Sequence, residues 1–280
     1  MDANTLATQP DPERSAAELG YWLNCAPTLL TCVVPLFGVL FYEWSGVVVI
    51  LLFWVENTLG TVFTAARIVL HRRLTHKRGH WRRGQLENQK VPNSGTLLRD
   101  YLYSSVLSIV FQGIFVALFA LFAVFVLIDQ HPDWDDERLF SLPQLGHGTA
   151  SLALTMALAF ALDARTLRQR SFLWLKVYVV QKHERWITLF FSLLLGFFVM
   201  FPTQSPLALA YVLIGLNTAT VIYQLRVLRK LDTLPLADWL RQQVETRNRR
   251  AGNKAITPAQ QRQIDTQLRQ AQEDEQPAGA

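Results

Sequence analysis

Charge is scarce in this sequence: Asp, Glu, Lys and Arg make up 18% of 280 residues, and half of the chain is apolar. The charges that exist cluster between apolar stretches instead of being spread as they would be over the amphipathic elements of a soluble domain, so the composition predicts a polytopic membrane protein. Cysteine is nearly absent. Cys25 and Cys32 lie seven apart in the first apolar stretch, on one helix face, with no further Cys or His at ligand spacing. They read as small apolar residues rather than a disulfide or metal pair. A basic start is also lacking: residues 1–20 hold Asp2, Asp11, Glu13 and Glu18 against a lone Arg14, so no cleavable secretory signal is expected. Missing too are a Ser/His/Asp set, an HExxH pair, a phosphate loop and a histidine placed within a span to hold haem, since His147 falls at a span edge. The sequence therefore offers no catalytic, cofactor-binding or metal residue.

What is present is a series of apolar runs. Six are long enough to cross about 30 Å of hydrocarbon as helices, the open-chain structure that satisfies its own backbone there. They lie at about residues 22–41, 46–69, 101–128, 148–162, 186–201 and 207–225. The fourth is short and must borrow residues 142–146. In the first, Pro35 is expected to free a carbonyl near Thr31. The expected architecture is an all-α, six-helix transmembrane bundle: a segment 1–21, a membrane domain 22–225 and a basic, partly helical tail 226–280. Loop charge sets the orientation. With the N-terminus cytoplasmic, that side collects Arg14, Arg67, the basic loop 71–100, the loop 163–185 and the tail, while the other side holds Arg138 alone. Both termini are thus expected inside, in a multi-pass protein of the inner (cytoplasmic) membrane.

Outside the spans, the acidic external loop 129–137 reads as solvated rather than cation-binding, for it lacks EF-hand spacing. His71, His76 and His80 sit among arginines that oppose a metal. Arg72, Arg73, Lys77, Arg78, Arg82 and Arg83 are expected to touch anionic lipid headgroups. Residues 171–181, too short to span, are expected to form an interfacial helix with Trp174 and Tyr178 at headgroup level. In the tail, residues 238–250 read as amphipathic. Thr257, Pro258 and Gln260 mark a capping box that opens a last helix with a thin stripe of Ile264, Leu268 and Ala271, a candidate surface for a protein partner. The final residues are expected to be disordered. The tail's Arg247, Arg249 and Arg250 point to anionic lipid before nucleic acid.

The focal stretch is 46–67, an apolar run broken at its middle by Glu56-Asn57. A carboxylate at that depth costs several kcal/mol and is by default a functional-site hypothesis. Gln112 and Asn217 lie about as deep in the third and sixth spans. Glu56, Asn57, Gln112, Asn217 and Thr218 are therefore expected to face one another as one polar layer. No basic residue falls at that depth in this reading, so Glu56 is expected to be protonated. Gly38, Ser45 and Asn57-Thr58 echo faintly in Gly196, Ser205 and Asn217-Thr218, which suggests a parallel repeat of two hairpins.

Trp54-Val55-Glu56-Asn57 with Gly60, then Gln112-Gly113-x-Phe115, then residues 195–200 and the stretch from Ser205-Pro206 to Thr218, resemble an uncharacterised family of bacterial multi-pass membrane proteins, domain of unknown function 6498. The resemblance spans roughly residues 27–225 and implies a fold without an activity. The family pattern has His where this chain has Gln112 and Lys where it has Asn217. The resemblance thus implies that candidate metal or haem ligands, and a counterion to Glu56, are missing here. Two functions follow from the residues: a small-solute or ion carrier using Glu56, or a non-catalytic scaffold or accessory subunit whose polar layer sets helix register.

Overall fold

The computed structural model describes residues 12–82, 96–130, 141–203, 206–233, 236–250 and 256–278. Among them the chain is helical, with eight α-helices and two single 3-10 turns: α1 Pro12–Phe41, α2 Gly46–Thr75, α3 Leu97–Gln130, α4 Leu142–Thr166, α5 Phe172–Thr203, α6 Pro206–Thr233, α7 Leu236–Arg250 and α8 Pro258–Glu275. Residues 131–137 of the acidic loop, Arg138, Arg83 and residues 1–11 lie outside the described residues, while Asp129 and Gln130 close α3.

Five of these helices are long and apolar enough to cross a membrane: Gly46–Thr75, Leu97–Phe122, Leu142–Gln169, Phe172–Met200 and Leu207–Leu231. In α1 the apolar part that qualifies, Thr28–Phe41, is shorter than a span. The short fourth run does extend over residues 142–146, because Ser141 accepts a hydrogen bond from the Gln144 backbone N–H and starts the helix there. In α1 the Thr31 hydroxyl turns back to the Thr28 carbonyl, so it is not offered to a group freed by Pro35.

The expected interfacial helix 171–181 does not exist as a separate element. Ser171 caps a helix that runs unbroken from Phe172 into the fifth apolar run, its hydroxyl accepting from the Trp174 N–H at 3.0 Å. Nothing in 182–185 breaks a helix, and four polar residues occupy little more than one turn. Trp174 and Tyr178 are buried and stacked, with ring centroids 5.3 Å apart, rather than set at headgroup level.

Helix α2 is the axis of the bundle, packed on α3, α4, α5 and α6. Its N-terminal half supplies Val48, Val49, Leu52 and Phe53 to an apolar cluster with Leu152, Leu193, Leu209 and Leu213. A second cluster at the opposite end joins Ile68, Leu97, Tyr101, Phe172, Leu175 and Val179. Between the two lies the polar layer. On the outside of the bundle α3 presents Tyr103, Val106, Leu107, Val110, Ile114, Leu118 and Leu121 as an exposed apolar face, as expected of a helix whose solvent is lipid. The repeat expected from the sequence is not mirrored in packing. Helices α5 and α6 pack along their length, with Gly196 pressed against Leu209, whereas α1 lies mainly on α4 and α6 and its Gly38 receives the Trp44 ring from the following turn.

The tail folds back on the bundle. Helix α8 opens with the full capping box of Thr257 and Gln260, then rests on the 3-10 turn Arg78–His80 and on the start of α5, with Ile264 buried. Residues 276–278, expected to be disordered, are instead paired with 76–78. Arg78 N–H donates to the Gln276 carbonyl at 2.7 Å and Ala278 N–H to the His76 carbonyl at 2.8 Å.

Candidate functional site

Glu56 and Asn57 are adjacent, so their side chains leave α2 about 100° apart. The expected single layer is accordingly two clusters on two faces. On one face the Asn57 amide donates to Gln112 Oε1 of α3 at 3.1 Å, and Trp54 donates its indole N–H to the Ile109 carbonyl at 3.2 Å over the bare backbone of Gly113. Trp54, Asn57, Gln112 and Gly113, all drawn from the motifs that carry the family resemblance, form one α2–α3 contact.

On the other face Glu56 meets Asn217 of α6, and a third partner that sequence reasoning missed. Arg185 of α5 places Nη2 2.6 Å from Glu56 Oε1, and it donates to Asn217 Oδ1 through Nε at 3.1 Å and Nη2 at 2.6 Å. Asn217 Nδ2 completes the ring toward Glu56 Oε2 at 3.5 Å and lies 3.9 Å from the Cys32 thiol of α1. Thr218 reaches the cluster only indirectly, its hydroxyl within reach of that thiol, as is that of Thr31. The side chains of Glu56 and Arg185 are 2% and 6% exposed. The expectation that nothing basic lies at this depth is therefore wrong, and with it the reason for a protonated Glu56. Arg185 escaped because the loop was drawn through residue 185, whereas α5 begins thirteen residues earlier and carries it into the bundle. Four helices, α1, α2, α5 and α6, thus meet at one ion pair.

Below this cluster a second pair links α2 to α4. Arg67 donates through Nε and Nη2 to the same Asp163 oxygen, at 3.0 and 2.6 Å, and its guanidinium stacks on Phe160 and Tyr178. Beside it is a pocket of about 60 Å³ between α1, α5 and α6, lined among others by Trp174, Gln181, Lys182 and Gln224.

The basic loop after α2 is engaged within the chain. Lys77 pairs with Glu275 at 2.5 Å and donates to the Arg170 carbonyl at 3.0 Å, and Arg82 pairs with Glu273 at 3.1 Å. Arg72 lies over the Trp81 ring at 3.6 Å. Arg73 and Arg78 are exposed. Glu275 also accepts from the Phe172 N–H at 2.5 Å, a carboxylate at the positive end of α5. His71 Nε2 is 3.2 Å from the Arg170 carbonyl, which can only accept, so a neutral His71 keeps Nδ1 free to accept from His80 Nε2 at 2.7 Å. Burial first, then the competition of neighbouring His71 for a proton and the charges of Arg72 and Lys77, hold His80 well below the usual histidine range, at about 3. His76 is exposed and stands apart from the pair. Among the described residues no three His, Cys, Asp or Glu side chains converge as metal ligands.

The sequence profile of a family of unknown function, DUF6498, matches residues 15–238. The match covers most of the chain and the whole of the helical core, so the chain belongs to that family. No curated protein and no solved structure matches it.

Proposed function

We propose that this member of a family of unknown function is a small carrier for an ion or small solute, with the cluster of Glu56, Arg185 and Asn217 as its central barrier. The observation that carries the reading is the buried Glu56–Arg185 pair at the crossing of four helices. Charges within a bundle are costly, and removing a partner exposes the rest to an apolar surround. An arrangement that opened between α2 and α5 would turn this barrier into a site holding one negative and one positive group. The carrier crosses the membrane six times, α1 included, with both ends on the cytoplasmic side of an inner membrane. The N-terminal half of α1 supports this, since Cys25 lies in the same pocket as Arg170 and Gln224, at the end of the bundle where the tail docks. Arg72, Arg73, Arg78 and Arg83 contact anionic headgroups, while Lys77 and Arg82 serve the tail.

The test is labelling of the protein in lipid with a hydrophobic carbodiimide, which modifies protonated carboxyls in an apolar phase, mapped by mass spectrometry across pH. The carrier must break the pair in each cycle, so Glu56 labels, less as pH rises. If Glu56 stays unlabelled at every pH while R185Q labels readily, the pair does not open. The second reading then holds, a scaffold or accessory subunit. It is favoured by the fact that Glu56, Asn57, Gln112 and Asn217 all have partners within the fold.

A further inference from the structure

The tail is held on the bundle by charge and backbone more than by apolar surface. Among the described residues Ile264 is the one apolar side chain of α8 that is fully buried. The helix ends in three consecutive acids, Glu273-Asp274-Glu275, set against the basic loop after α2. Glu275 takes Lys77 at 2.5 Å and the Phe172 N–H, while Arg82 reaches Glu273 at 3.1 Å and Asp274 at 3.5 Å. The Arg82 and Glu273 side chains are 42% and 57% exposed, so water and salt compete for that pair. Gln276 and Ala278 add backbone hydrogen bonds to Arg78 and to His76, the residue that caps α2. The same loop also exposes Arg73 and Arg78, with Leu74 and Trp81, the latter under the Arg72 guanidinium. Arginines interleaved with an exposed Trp and Leu, at the end of a membrane-length helix, suit the headgroup level of a bilayer. Among the described residues no tail contact uses the Arg73 or Arg78 side chain.

We propose that the docked tail is a latch that a negatively charged bilayer surface displaces. An anionic leaflet attracts Lys77 and Arg82 together with Arg73 and Arg78, and it repels Glu273, Asp274 and Glu275, so both effects act against the docked state. A neutral leaflet does neither, and the acids stay in place. The latch ties the C-cap of α2 to the start of α5, and these are the two helices that carry Glu56 and Arg185. Docked, the tail restrains an opening between α2 and α5; displaced, it lifts that restraint. The restraint on opening rests on the carrier reading. Displacement of the tail does not, and requires only that the basic loop lie at a membrane surface.

The experiment follows hydrogen exchange over residues 258–278 of the full chain in lipid nanodiscs. Both faces of a disc have the same composition, so the outcome does not depend on which end of the bundle faces the cytoplasm. In discs of phosphatidylcholine these amides are protected. In discs where phosphatidylglycerol makes up about a third of the lipid, at the same salt, they exchange about tenfold faster, while the amides of α2 and α5 within the bilayer are unchanged. In R73Q/R78Q the tail is as protected in neutral discs as in the parent, and more phosphatidylglycerol is needed to release it. Equal exchange in the two lipids overturns the proposal, and so does a gain in exchange spread through α2 and α5, or R73Q/R78Q responding to lipid as the parent does. Release in neutral discs by inorganic phosphate, but not by chloride at equal ionic strength, also overturns it, because the competitor is then a soluble anion and not the bilayer surface.

Discussion

Removing one member of the Glu56–Arg185 pair should cost more than removing both, and the two single losses should differ. In E56L the Arg185 guanidinium keeps Asn217 Oδ1 but loses its contact at 2.6 Å with the only carboxylate in the cluster. A guanidinium cannot shed its charge, so a buried cation remains. In R185M Glu56 retains only the long Asn217 contact of 3.5 Å, yet a carboxyl can take up a proton and become neutral. Breaking a buried pair from one side costs about 3–5 kcal/mol, while replacing both by apolar groups of similar volume is often neutral. E56L should therefore lose about 3–5 kcal/mol, R185M less, because its remaining carboxyl can be neutralised whereas a guanidinium cannot, and the double variant should lie within about 1–2 kcal/mol of the parent. The assay is reversible unfolding in mixed micelles, as a double-mutant cycle. Additive single losses, or R185M losing as much as E56L, would refute the claim that the two groups form one buried unit.

Three further outcomes follow. Because His80 binds its proton less readily in the fold than in the unfolded chain, the fold around the turn on which the tail rests is fully supported above about pH 6.5 and weakens as pH falls toward 3, by up to about 1.4 kcal/mol per pH unit. The groups whose charge acts on it are His71, Arg72 and Lys77, and Glu275 acts on its partner His71. Protease release of α8, measured from pH 8 to pH 5, should rise in the parent and lose most of its pH dependence in H80F. E275Q should lose the Lys77 ion pair and weaken the contact at the α5 start, freeing α8 at neutral pH with a larger effect at low salt, read by hydrogen exchange over residues 258–278. G196V should push the Leu209 side chain and backbone away, separating α5 from α6 at a cost of about 1–3 kcal/mol in the same micelle assay, whereas G215A, with open space at its side chain, should be silent.

Much of the bundle was legible because lipid imposes a blunt pattern. Apolar length located the helices, and Thr257 announced its cap in the residues themselves. The polar layer was half legible. Glu56, Asn57, Gln112 and Asn217 could be found by depth alone, but depth does not say which face of α2 each residue leaves by, so two clusters were read as one. Arg185 was missed for a different reason. Loop assignment by charge moves every basic residue to the water, whereas a long side chain paired with an acid stays within the bundle. The tail was hidden because its anchors, Lys77 with Glu275 and Arg82 with Glu273, join residues nearly two hundred positions apart. No local pattern records such a pairing. The family departures were read as the loss of a counterion, yet the counterion to Glu56 comes from another helix.

The carrier reading requires that the buried outer half of the bundle open to the outside. Ser192 lies two turns beyond Arg185 on α5 and is 2% exposed. The most direct measurement places a cysteine there, S192C, in a background without Cys25 and Cys32, and follows its reaction with a membrane-impermeant maleimide applied outside, with Y42C in the exposed first turn as control. The account predicts slow, complete labelling at residue 192, accelerated in R185Q, where the barrier is broken. A cysteine at 192 that stays unreactive in both backgrounds while residue 42 labels fully would contradict it, and would leave the Glu56–Arg185–Asn217 cluster as a structural lock.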